Sequence, residues 1–199
     1  MTEAPMPTSA SASFHIRPAR TEDLPGMARV HVETWKTTYR GIVPDERLDQ
    51  MTVAWDLERG FGKWAVAPPP GVCSFVALSG PKDIVGFAVG EPNREPDEEF
   101  PAELVAIYVL RGYQGRGIGR ALVGEVAGFH YAQGREAMLV WVLAANPYRR
   151  FYGRLGGRVV RERTAPVAGV PLAEVGFGWS DLRPLLSLRV PPSTDRRRA

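Results

Sequence analysis

The chain has 199 residues, with 25 Lys and Arg against 22 Asp and Glu, and one cysteine. That length supports one sizeable core. The lone Cys73 excludes an intramolecular disulfide and fits a reducing cytoplasm, and no apolar run is long enough for a membrane-spanning helix. Arg196, Arg197 and Arg198 carry much of the net charge of +3, so the rest is close to neutral and lacks the basic balance of nucleic-acid binders.

Residues 1–13 are small and polar, without the basic start and apolar run of a signal peptide, and read as a disordered leader. Phe14 to Arg17 alternates as a first strand. Thr21 is a candidate N-cap for a helix in which Leu24, Met27, Ala28, Val30, His31 and Trp35 recur at helical spacing. The stretch 39–44 breaks it. Pro44-Asp45-Glu46 opens a second helical region through Leu48, Met51, Trp55, Leu57 and Phe61, closed by Pro68-Pro69-Pro70-Gly71. Val72 to Leu78 and Ile84 to Val89 are strands joined by a Gly-Pro hairpin loop. Glu91 to Pro101 is an acidic, proline-rich surface loop.

Leu104 to Leu110 is the next strand. It runs through Gln114-Gly115-Arg116-Gly117-Ile118-Gly119 into a helix with apolar positions at Ile118, Ala121, Leu122, Val126 and Phe129. Met138 to Leu143 reads as a buried strand and Asn146 to Leu155 as a short helix stopped by Gly156-Gly157. Val159-Val160 and Val175 to Trp179 form a last strand pair across Ala168-Gly169. Leu182 to Leu188 is apolar, and the chain ends in a basic flexible tail over 189–199. The element order mixes hairpins with crossovers, which implies a mixed α/β sheet in one domain over 14–188.

A strand passing through glycines into a helix N-terminus holds an anion: amide N–H groups converge and the helix dipole favours negative charge. Two common phosphate loops do not match. A nucleoside triphosphate loop needs Lys-Ser/Thr after its last glycine, and Arg120-Ala121 stands there. A dinucleotide fingerprint needs an acid after the next strand, which here runs into Ala144-Ala145-Asn146. The remaining pattern is Gln-x-x-Gly-x-Gly, formed by Gln114, Gly117 and Gly119.

With the strand Ile107-Tyr108-Val109-Leu110 before it, the segment Asn146-Pro147-Tyr148 through Phe151-Tyr152-Gly153 to Gly156-Gly157 after it, and Thr34-Trp35 to Gly41-Ile42 upstream, this pattern resembles the GNAT superfamily of acetyl-CoA-dependent N-acetyltransferases over residues 14–180. The resemblance implies a mostly antiparallel sheet of six to seven strands flanked by about four helices and splayed at its central strands. It implies acetyl-CoA as co-substrate and an amine acceptor, a small molecule or a peptide N-terminus or lysine. The implied reaction passes the acetyl group directly to that amine.

Carried over to this chain, backbone groups of Ile107, Tyr108 and Val109 would meet pantetheine, their side chains being core. Amides of Gln114, Gly115, Arg116, Gly117, Ile118 and Gly119 would cradle the pyrophosphate, with Arg116 and Arg120 as phosphate partners or merely solvated arginines. Asn146 would meet pantetheine or cap its helix. Tyr152 would donate a proton to the leaving thiolate, unless it is a core aromatic beside Phe151. Glu103, at the start of the central strand, is the candidate base, directly or through water; otherwise it extends the acidic loop. Trp35 and Tyr39 would line the acceptor site with Glu103, or Trp35 is core and only Tyr39 reaches it.

His15, His31 and His130 are too scattered to suggest a metal site, and none is expected. The acidic segment 91–103 hints at a cationic acceptor such as a polyamine or aminoglycoside. The last strands and the apolar 182–188 stretch would support a homodimer or close the domain's own edge. From another class, the chain would be a coenzyme A-binding regulatory or partner module without catalysis.

Overall fold

The structure is a computed structural model that describes residues 14–59, 62, 66–95 and 97–189. The expected leader over 1–13, the tail beyond 189 and the helical position Phe61 lie outside them. The described residues form a seven-stranded sheet in the order β1-β2-β3-β4-β5-β7-β6: β1 His15–Pro18, β2 Cys73–Leu78, β3 Ile84–Pro92, β4 Ala102–Val109, β5 Met138–Leu143, β6 Arg158–Val167 and β7 Val170–Trp179. Among the described residues, these α-helices accompany it: α1 Leu24–Thr38, α2 Asp45–Gln50, α3 Val53–Glu58, α4 Ile118–Ala132, α5 Arg150–Arg154 and α6 Arg183–Leu186. No described helix is long and apolar enough to cross a membrane.

All neighbouring strands are antiparallel except β4 and β5. These two pair in parallel only at Ala102↔Met138 and Glu103↔Leu139. Beyond Glu103 they part. A bulge contributes to this: β3 residues Val89 and Gly90 face Ala106 and Leu104, which leaves Val105 as an extra residue on β4. A bulge bends the strand that carries it and sharpens its twist. The sheet is therefore splayed at its centre, as the resemblance implies.

The core lies where α4 covers β2, β3 and β4. Ile118, Ala121, Leu122 and Val126 recur at one-turn spacing and are all buried. Burying Leu122 completely contributes about 1.5–3 kcal/mol. Cys73 is buried on β2, and burial pushes its thiol up to about 12, so it behaves as a small core side chain.

Several elements differ from the sequence expectation. Thr21 does not cap α1; residues Thr21–Asp23 form a 3-10 turn held by Asp23, which accepts the Arg20 amide and two bonds from the Arg17 guanidinium. The second helical region splits because Thr52 turns extended and caps α3, its side chain accepting the Trp55 amide at 3.0 Å. Regular helix in the Asn146 segment begins only at Arg150, after a turn in which Asn146 Oδ1 accepts the Tyr148 amide. β6 and β7 are ten residues each, far longer than their apolar ends. Arg161 and Arg163 continue β6 in its ladder with β7, their charges met by Asp97 of the loop before β4 and by Glu174 of β7. Leu182 and Leu185 are buried and α6 packs on α4, so the apolar 182–188 stretch covers its own chain.

His130 closes the buried stripe of α4 with no exposed surface. Its Nδ1 accepts from Arg135 Nε at 3.0 Å, so protonating that nitrogen would set an N–H against a guanidinium. Burial first, then Arg135, lowers its pKa to about 4. A histidine whose folded-state value is depressed contributes stability above its unfolded value, and loses it as pH falls from about 6.5 toward the folded value. Thermal melts should therefore fall between pH 6.5 and pH 4.5, and His130→Leu should flatten that fall relative to the natural protein. An identical pH slope in the two proteins would refute the assignment.

Candidate active site

The gap between β4 and β5 opens into a cavity of about 910 Å³. Its walls come from the end of α1, both parted strands, the loop 113–120, α5 and the β6–β7 turn. Past Glu103, β4 has no β5 partner, so main-chain groups along one edge of Leu104 to Val109 face the gap rather than a neighbouring strand. An extended ligand arm can pair with them as an added strand does.

The glycine loop stands at the end of β4. Gly115 and Gly117 have φ of +75° and +86°, left-handed conformations that cost a side-chain-bearing residue about 1–2 kcal/mol. Gly117 is the N-cap of the 15-residue α4, so the positive end of that helix opens at the loop. Gly119 has another reason to be glycine: an added Cβ would lie 3.3 Å from the Phe151 ring. Gln114 donates from Nε2 to the Val109 carbonyl at 3.1 Å, which ties the loop to the strand it leaves.

Gln114, Gly115, Gly117, Ile118, Gly119 and Arg120 line the cavity; Arg116 instead lies over the Tyr113 ring at 5.1 Å. Arg154, which the sequence reading did not single out, also lines it.

Among the five tyrosines that line the chamber are Tyr39, Tyr108 and Tyr152. Burial is the first cause that raises all three above the ordinary tyrosine value, and Tyr39 and Tyr152 are raised further by Tyr108. They stay neutral donors at any physiological pH. Tyr152 stands in an aromatic setting with Phe151 and Phe177, ring centroids 5.3 and 5.6 Å away, and its hydroxyl makes no hydrogen bond with the described residues. Tyr108 is not simply a core side chain: its hydroxyl accepts from Trp35 Nε1 at 3.0 Å on the α1 side. Asn146 Nδ2 donates to the Tyr39 hydroxyl at 3.1 Å while Oδ1 holds the Tyr148 amide, so Asn146 joins the end of α1 to the end of β5.

Trp35 and Tyr39 both line the cavity and pack edge-on at 5.0 Å. His31 stands behind them, its Nδ1 2.7 Å from buried Asp56 Oδ2.

Glu103 is buried at the last β4–β5 pair and is not among the cavity-lining residues. Both its oxygens are engaged by Arg94, at 2.5 and 3.1 Å. Carboxylates of the acidic segment around it are paired with arginines: Glu91 also with Arg94, Asp97 and Glu99 with Arg161 of β6, and Glu95 with Arg163 of β6. The described carboxylate that does line the cavity is Glu174 of β7, a residue the sequence reading passed over. Its signal was present: it is the lone charged residue in the strand Val170–Trp179. No group of three His, Cys, Asp or Glu among the described residues is placed to hold a metal.

A sheet parted at its single parallel pair, with a glycine turn at the mouth of the gap, defines the class as an acyltransferase fold. The chain belongs to the acetyltransferase (GNAT) family, whose pattern matches residues 29–156. It is 38% identical over 173 residues to the uncharacterized N-acetyltransferase YuaI of Bacillus subtilis, covering 87% of this chain and 96% of that one. A probable N-acetyltransferase of Mycobacterium tuberculosis is 25% identical over 83% of this chain and 93% of its own length. The fold is shared with PaiA N-acetyltransferase from Thermoplasma acidophilum, solved in complex with coenzyme A, at a TM-score of 0.62 and 19% identity over 82% of this chain and 98% of that chain. It is shared also with YncA from Salmonella typhimurium, solved with acetyl-CoA, at 0.58 and 21% over 85% and 94%.

The Arg94–Glu103 pair gives a test of this arrangement. Arg94→Gln leaves a buried carboxylate without its cation and should cost about 1–2 kcal/mol in urea unfolding, moderated because Arg94 itself is half-exposed. Adding Glu103→Gln should restore part of that loss. An unchanged midpoint in the single variant would show that the pair does not hold β4.

Proposed function

We propose that residues 14–188 are one N-acetyltransferase domain that transfers the acetyl group of acetyl-CoA directly to a primary amine. The observation that carries the reading is the unpaired edge of β4 running into a left-handed glycine cradle at the N-terminus of α4, with Tyr152 lining the same cavity. That combination suits a long ligand with an extended arm and an anionic end. When bound, acetyl-CoA supplies a thioester carbonyl open to attack by an amine.

The chain's own groups divide the remaining work. Amides from Gln114 to Gly119 and the helix end bind the pyrophosphate, with Arg120 beside them. The free edge from Ile107 to Val109 binds and aligns the arm. A backbone N–H near Val109 polarises the thioester oxygen. Asn146 sets the turn after β5 and holds Tyr39 in the acceptor wall.

Tyr152 donates its hydroxyl proton to the departing sulfur. A phenol kept neutral by burial has that proton available, and a thiolate accepts it. The acceptor amine loses its proton toward Glu103. Because Glu103 stands behind the chamber wall with both oxygens on Arg94, that proton travels through water.

Release of free thiol from acetyl-CoA, measured across a panel of amines, separates a working enzyme from a coenzyme A-binding module. Turnover of at least one amine is expected; tight coenzyme A binding with no turnover on any amine would favour the module. Tyr152→Phe should lower kcat about 10²-fold with coenzyme A affinity unchanged. An unchanged kcat would remove Tyr152 as the acid. Gly117→Ala should weaken coenzyme A binding about tenfold by calorimetry, since alanine resists the left-handed conformation of the cradle. Equal affinity would place the pyrophosphate elsewhere.

A further inference from the structure

We infer that the acceptor is an amine bearing a single positive charge on an apolar, largely flat body without a carboxylate, and that Glu174 receives its ammonium. The inference rests on the acetyl-transfer reading above and concerns the other half of the same cavity.

That half is formed by the end of α1, the outer part of β5 and the β6–β7 turn. Its walls include Trp35, Thr38, Tyr39, Trp141, Leu143 and Val167, and its carboxylate is Glu174. Indole and phenol faces attract a cation and cover a flat apolar body equally well. The Glu174 side chain is only 13% exposed. Oε2 accepts from Arg163 Nε at 2.8 Å, whereas Oε1 accepts nothing from the described residues. Arg163 cannot turn away easily: it also reaches Glu95 at 2.8 Å and lies 3.9 Å over the Trp141 ring. Glu174 is thus held in place with one oxygen still able to take an N–H donor. Two carboxylates share one guanidinium, so the group keeps one negative charge for a cation to neutralise.

The same inventory excludes two other classes. An amino-acid acceptor would bring a carboxylate to this wall. The cavity-lining arginines, Arg120 and Arg154, belong to α4 and α5 near the glycine loop, and Arg163 already has two carboxylates. A polyamine or aminoglycoside would bring further ammonium groups. The carboxylates of the acidic segment do not line the cavity, and Glu91, Glu95, Asp97, Glu99 and Glu103 each face an arginine. A second ammonium in the chamber would be desolvated against Trp141, Leu143 and Val167 without a counter-charge, which is costly. The hint of a polycationic acceptor in the sequence therefore does not extend to the cavity.

The test uses the full chain with acetyl-CoA and three probes: phenethylamine, spermidine and phenylalanine. Thiol release should show kcat/KM for phenethylamine at least tenfold above the other two. Glu174→Gln should raise KM for phenethylamine about tenfold with kcat and coenzyme A affinity little changed, melts being run to confirm folding. Calorimetric titration of phenethylamine into the coenzyme A-loaded protein reads the same site without chemistry. Binding that is lost in Glu174→Gln supports the inference even if no acetyl group moves, in which case only the acetyl-transfer reading fails. Preference for spermidine or phenylalanine, or phenethylamine binding unaffected by Glu174→Gln, overturns the inference and leaves acetyl transfer standing.

Discussion

Two residue pairs hold the centre of this sheet. β4 and β5 meet at Ala102↔Met138 and Glu103↔Leu139 and then separate. A fully zipped ladder would satisfy every backbone group and leave no room between the strands. Parting them exposes a polar edge inside the protein, which is expensive unless something pairs with it. The cavity, the cradle at its mouth and the aromatic wall all follow from that unmade ladder. The Val105 bulge turns β4 away from its parallel neighbour while β3 keeps pairing with it on the other side.

The two ends of the gap follow different physical rules. At the glycine loop, backbone geometry dominates: left-handed residues, a helix terminus and a side-chain amide that ties the loop to β4. At the α1 end, side chains dominate. Trp35, Tyr39, Tyr108 and Asn146 make a chain of ring contacts and hydrogen bonds between elements distant in sequence. In the proposed reading, the first end holds coenzyme A and the second end faces the acceptor.

This division explains what could be read before the structure. The β4–loop–α4 unit was legible because local chemistry dictates it: glycines where φ must be positive, and an apolar stripe at one-turn spacing from Ile118 to Val126. The β2–β3 hairpin was legible for similar reasons. The full length of β6 was not, because Arg158, Arg161, Glu162 and Arg163 resemble a solvated loop until their partners are known. Arg161 and Arg163 pair with β7 in the ladder, and their charges meet Asp97, Glu99 and Glu95, distant in sequence, and Glu174 across the hairpin. Glu103 was legible as an acid at the start of the central strand but not as the buried partner of Arg94, and Glu174 lay just outside the expected strand Val175 to Trp179, so its place on the cavity wall could not be read.

The arginines of β6 have a mechanical consequence. The sheet consists of two halves, β1 to β4 and β5 to β7, joined along their backbones at only two positions. Arg161 and Arg163 reach from the second half to the segment just before β4 in the first, and Asn146 reaches across to Tyr39 at the opposite end of the gap. The opening is thus braced at both ends. In this structure side chains, as well as the two ladder positions, tie the halves of the sheet across the gap.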